Sequence, residues 1–225
     1  MGCALSLFEY SRNYHDELAE KHAFKLLQEV LASSIEKNTF NEGKMGIAWS
    51  LIYLTNNQYI EAEYQDLYGQ EHEQVLVFIK QMEENETTNI TSYIDATSFL
   101  MISKKYIPIS DYESILWVLT NNLSNYFSVT PKNFFESTSF YEIASKILGC
   151  YNLYKELTNY KRNLIDIIVQ ISVSLFNDGF ICNNISFGSN LLQYGIYYKR
   201  EDIKKIANKF IDIYISNIVL EAIDL

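Results

Sequence analysis

The chain is poor in the residues that turn a backbone: its 225 residues include two prolines and eight glycines. All-β domains need frequent turns, so this scarcity excludes them and favours long helices on short connections. Cysteine is as sparse. Cys3, Cys150 and Cys182 lie far apart and are odd in number. That excludes a disulfide framework or a Cys-x-x-Cys zinc pair, and fits a reducing, cytoplasmic compartment. No apolar run approaches the ~20 residues of a membrane span. No basic stretch leading into a hydrophobic segment marks a secretory signal. Positive charge is in deficit, with 18 Lys and Arg against 28 Asp and Glu, a formal net charge of −10. Such a surface repels phosphate backbones, so nucleic acid is not an expected partner, whereas a basic peptide is. Ser-His-Asp order, a P-loop and a dinucleotide fingerprint are all missing.

What is present is hydrophobic and aromatic: 48% of residues are hydrophobic, with 18 Tyr and 13 Phe. That composition specifies a folded protein, long enough to bury a sizeable core. Asparagine is abundant, so the Asn-x-Ser/Thr matches at Asn85, Asn89, Asn122 and Asn184 are what chance provides. Met1-Gly2-Cys3-Ala4-Leu5-Ser6 matches a myristoylation pattern. Leu5, Leu7, Phe8 and Tyr10 continue it as a core helix, however, and no polybasic patch follows.

Apolar periodicity divides the chain into helical hairpins. The first pairs Gly2–Tyr10 with Asp16–Ile35, whose Leu18, Phe24, Leu27, Val30 and Leu31 form the expected inward stripe. The second starts at Gly43-Lys44-Met45-Gly46-Ile47, where glycines without Cβ let backbones crowd together. Its outer partner spans Glu71 to Glu84 with Val75, Leu76, Phe78, Ile79 and Met82 inward, after a connection with room for an extended piece at Tyr59-Ile60. The third pairs Ser92–Lys104 with Asp111–Phe127, Asp111 serving as N-cap after Pro108. The fourth pairs Glu136–Leu157 with Tyr160–Phe176, and the fifth Ser186–Tyr198 with Glu201–Leu220. Inner members are apolar and outer ones charged. The expectation is an all-α fold: one domain over residues 1–225, repeated α-hairpins forming a complete or partial α/α toroid.

Three stretches resemble the lanthionine synthetase C-like family of lanthipeptide cyclases. They are Gly2 to Arg12, then Phe40 to Leu51 around Gly43-Lys44-Met45-Gly46-Ile47-Ala48-Trp49 with its continuation Tyr53 to Ala62, then Asp178-Gly179-Phe180-Ile181-Cys182 followed by Gly188 to Gly195. The resemblance implies an α/α toroid with zinc held by two cysteines and a histidine. There the metal lowers the pKa of a substrate thiol, which adds to a dehydrated Ser or Thr of a peptide. Cys182 matches the first zinc cysteine. The Cys-His-Gly motif that supplies the other ligands is absent.

The resemblance therefore implies a degenerate relative that binds a peptide or a peptide-maturation enzyme without zinc catalysis and needs no cofactor. Asp95 and Glu136 at the starts of inner helices, with Trp49, would line the peptide-binding cavity, while capping explains the two acids equally well. Gly43 and Gly46 are structural. Zinc on Cys182 is the alternative, with the missing ligands coming from another segment or chain. A helical-repeat interaction module unrelated to peptide modification is a further one. Cys150 reads as core packing, and His15, His22 and His72 as solvated groups on outer surfaces. An incomplete ring would expose apolar faces and favour a homo-oligomer.

Overall fold

A computed structural model describes residues 1–82, 89–129, 138–153, 159–180 and 184–223. Among them are ten α-helices and no β-strand. In order they are α1 (Gly2–Tyr14), α2 (Glu17–Ala32), α3 (Lys44–Asn56), α4 (Tyr64–Gln81), α5 (Ile90–Ile102), α6 (Ile109–Val129), α7 (Thr138–Leu153), α8 (Asn159–Asn177), α9 (Ile185–Tyr197) and α10 (Glu201–Ile223), with a 3-10 turn at Lys104–Tyr106. The fold is all-α. No described helix is long and apolar enough to cross a membrane. The chain divides into two compact units, Met1–Leu116 and Trp117–Leu225.

In the first unit α1 packs on α2, α3 on α4, and α3 on both α1 and α5. The helices α3 and α5 are buried on nearly every side, α3 through Met45, Ile47, Ala48, Ser50, Leu51, Ile52 and Leu54. That is why their sequences lack the charged face seen on α2 and α4. Asp16 caps α2, its Oδ1 accepting from the amides of Leu18 and Ala19 at 2.9 and 3.0 Å. Asn89 caps α5 by accepting from Thr91 N–H at 3.1 Å.

Several expectations are corrected here. The buried stripe of α2 is Ala19, Ala23 and Leu27, and the two alanines let α1 approach. Leu18, about 100° around the helix from that stripe, is 66% exposed, and Phe24 sits at the rim, its ring edge-on to Phe8 at 5.0 Å. Tyr59-Ile60 forms a bend, and α4 starts at Tyr64 rather than Glu71. Pro108, not Asp111, stands ahead of α6: its carbonyl accepts from Tyr112 N–H, and Asp111 instead pairs with Lys80 at 2.8 Å.

His72 is the largest departure. It is fully buried, not solvated. A kink at Tyr68 (φ −147°) divides α4, and the inward stripe runs back from Ile79 through Leu76 and Val75 to His72. Its Nδ1 meets the Tyr64 hydroxyl at 2.9 Å, with the Phe99 ring 5.2 Å away. Nε2 has no hydrogen-bond partner, and burial lowers the imidazole pKa to about 4.

In the second unit α9 packs on α10 and on α7. Its core is aromatic: Tyr141, Phe187 and Phe210 meet with centroids 5.0 to 5.5 Å apart. Asn184 caps α9 by accepting from Phe187 N–H at 2.9 Å.

Candidate functional site

The residues around α3 in the first unit build the most distinctive surface. Gly43 and Gly46 open the helix against the loop before it, and a Cβ on Gly46 would lie 1.8 Å from the carbonyl oxygen of Phe40. The loop therefore lies directly on the helix, stitched by Lys44 N–H donating to Lys37 O at 2.9 Å. Asp95, in the second turn of α5, holds the loop from the other side: its Oδ2 accepts from Phe40 N–H at 3.0 Å. Asp95 is thus neither the cap of α5 nor at its first residue.

Positioned in this way, the Phe40 ring stands 6.2 Å from Trp49, edge to face. One turn along α3, Tyr53 stacks on Trp49 at 5.6 Å and 11°, since residues four apart share a helix face. Beyond the helix, Gln58 adopts a left-handed turn (φ 56°) that folds Tyr59 back onto Tyr53 at 6.2 Å and 20°. The Arg12 guanidinium covers the outer face of Tyr59, 3.4 Å from its centroid, and donates to the carbonyls of Asn57 and Gln58 at 2.8 Å each. The Tyr53 hydroxyl donates to Glu9. Hydrogen bonding by Tyr53 and Tyr59 holds the Glu9 carboxyl below its ordinary pKa, and the same carboxylate, with burial, raises both phenols.

The result is a ladder of half-buried rings, Phe40, Trp49, Tyr53 and Tyr59, ending on Arg12. At the Phe40–Trp49 end opens a groove of about 370 Å³, walled by Leu5, Val30, Ile35 and Ile47 as well as those two rings. At the Tyr59 end is a hollow of about 420 Å³ lined by Arg12, His15, Asp16, Glu17 and Glu20. An apolar groove, a π surface and a carboxylate-rich hollow follow one another on one unit. That order complements apolar or aromatic side chains next to cationic ones.

The chain matches no family model, no curated protein and no solved structure. Its function is therefore argued from this geometry. Of the residues singled out in the sequence, Trp49, Gly43 and Gly46 meet in the groove, and Asp95 supports it through Phe40. Cys182 and Glu136 lie outside the described residues. Phe40, Tyr53, Tyr59, Arg12 and Glu9 lie in the stretches that carry the resemblance, which gives them no site role. The Trp49–Tyr53 spacing was a usable signal for one of them, whereas the others arrive through tertiary contacts.

The zinc that the resemblance implies needs three protein ligands. Among the described residues no three His, Cys, Asp or Glu side chains converge on an ion-sized site. His15 and His22 are exposed, and His72 is engaged with Tyr64 inside the core. The described residues do not fit such a centre.

Proposed function

We propose that this chain is a peptide-binding protein of lanthionine synthetase C-like ancestry, in which α1, α3 and α5 are inner helices of a partial α/α toroid. It holds a peptide on the Phe40–Trp49–Tyr53–Tyr59 ladder and does not cyclise it through zinc. The single observation that carries this reading is the ladder itself, in ring-to-ring contact, part-exposed and set between an apolar groove and an acidic hollow. Arg12, Glu9 and Asp95 hold the rings in fixed poses, Arg12 covering one face of Tyr59 and leaving the ladder part-exposed, the preorganisation that lowers the entropic cost of binding. The net charge of −10 favours a basic peptide by steering.

Calorimetric titration of the full chain with a short Phe/Lys peptide, and with its Phe/Glu counterpart, tests the proposal. The expected result is saturable binding of the first and at least tenfold weaker binding of the second. Trp49→Ala and Tyr59→Ala each weaken the first interaction by about tenfold, the scale of an aromatic anchor. Equal binding of both peptides, or binding indifferent to both substitutions, would sink it. Stoichiometric zinc lost on Cys182→Ala would overturn the zinc-free part.

A further inference from the structure

The chain has three arginines, and two of them, Arg162 and Arg200, line one cleft in the second unit. The third, Arg12, is committed to Tyr59 and two backbone carbonyls. The cleft has a volume of about 570 Å³ and lies between α8 and the corner joining α9 to α10, within the usual range of small-ligand sites. It is separate in sequence and chemistry from the aromatic ladder.

Three of its four carboxylate oxygens accept a hydrogen bond from within the cleft. Asp202 is held by Arg200 through two hydrogen bonds, Nε to Oδ1 at 2.9 Å and Nη2 to Oδ2 at 2.7 Å. Asp166 accepts from the Tyr194 hydroxyl at 2.8 Å. Arg162 is placed differently. It approaches Asp166 at 3.8 Å, too long for a hydrogen bond, and its guanidinium stands 6.0 Å from the Tyr198 ring. Further along the same face of α8 come Gln170, Ser174 and Asn177, which add neutral donors to the cleft. Two cations against two anions make it locally neutral, on a chain that elsewhere repels anions.

We infer that this cleft is a binding site for a ligand bearing an oxyanion, a carboxylate or a phosphate, with Arg162 as its principal contact. A guanidinium presents paired N–H donors in the plane that such oxyanions match, and a lysine does not. Tyr194 and Arg200 act as positioning residues: Arg200 neutralises Asp202, and the Tyr194 hydroxyl occupies one oxygen of Asp166 and holds it in place.

The test is calorimetric titration of the full chain at constant ionic strength with three probes: N-acetyl-trialanine with a free C-terminal carboxylate, the same peptide as its amide, and inorganic phosphate. Saturation by the free acid with at least tenfold weaker binding of the amide assigns a carboxylate. Saturation by phosphate alone assigns a phosphate. In either case Arg162→Gln removes binding and Arg162→Lys weakens it, while the melting temperature stays unchanged because Arg162 is largely exposed. Absence of saturation by all three probes, or binding unaltered by Arg162→Gln, overturns the inference. Trp49→Ala leaves this binding intact, so failure of the ladder and failure of the cleft are read separately.

Discussion

The helix α3, with Gly46 inside it and Gly43 as its N-cap, and the helix α9, with Gly188 and Gly195, bury the same kind of apolar surface, yet Gly46 and Gly188 meet different neighbours. On α3, the missing Cβ of Gly46 makes room for backbone, the Phe40 carbonyl. On α9, Gly188 makes room for side chains of the partner helix, Ile211 and Phe210, with the added carbon 3.0 and 3.2 Å from them. The Ile211 side chain, which makes the nearest of these contacts, can rotate away, whereas a backbone held at both ends cannot. The first unit is therefore brittle at Gly46, and the second more compliant at Gly188.

The largest expected effect follows from that brittleness. Gly46→Ala should destabilise the first unit by about 3 kcal/mol, the upper end of overpacking costs, because Phe40 and everything tied to it must move. Gly2→Ala, which points into open space, should change stability by under about 0.5 kcal/mol. Hydrogen exchange resolved on α3 and α9 amides would read the units separately. Equal deprotection of both helices by Gly46→Ala would break the contrast.

Acid should sharpen it. His72 is the one buried histidine, and it belongs to the first unit. Its folded pKa of about 4 lies below the ordinary 6.5, so the unfolded chain binds the proton first. Stability is fully present above the unfolded pKa and is lost as pH falls from there toward the folded one. By pH 5 the loss should reach about 2 kcal/mol. Urea titrations at pH 7 and pH 5 check it, and His72→Phe should flatten the difference. A loss of the same size in His72→Phe would move the cause elsewhere.

The hairpins were legible in the sequence because helix periodicity and capping are local. Asp16 lies where α2 begins, and the apolar runs of α3 and α5 announce helices without a solvent face. The kink at Tyr68 was not legible. His72 was legible without it: it lies three, four and seven residues before Val75, Leu76 and Ile79 and shares their helix face, a spacing that reading Glu71-His72-Glu73 as a solvated run overlooks. The ladder was half legible: Trp49 and Tyr53 share a face by spacing, but Tyr59 depends on a left-handed Gln58, and Arg12 and Glu9 come from another helix. Asp95 was noticed for its place near a helix start, yet what it contributes is an acceptor for a loop amide 55 residues away.

That contact sets the third effect. Asp95→Ala removes a charged acceptor from the Phe40 amide and should cost about 1.5 kcal/mol, loosening the loop without touching Trp49. It should weaken Phe/Lys peptide binding along with stability, while Asp95→Asn, which keeps an acceptor oxygen, should recover much of both. If Asp95→Ala lowered binding with stability and loop protection unchanged, the carboxylate would be a peptide contact and not a tether.

The smallest effect is expected on α9. Gly188→Ala places a methyl against Ile211 Cγ1 and Phe210 Cβ, tighter than ordinary contact but against groups that have rotamers or neighbours able to give. The cost should be about 1 kcal/mol, read by exchange on α9 and α10, with the first unit unaffected. Ile211→Ala removes Cγ1 itself, so it should cost less in the Gly188→Ala background than in the parent chain. The equivalent rescue at Gly46 has no counterpart, because no side-chain trimming moves the Phe40 carbonyl. If Gly188→Ala cost as much as Gly46→Ala and Ile211→Ala cost the same in both backgrounds, α10 would be as fixed against α9 as the Phe40 loop is against α3. The difference between the two units would then lie in their polar groups and not in how glycine is used.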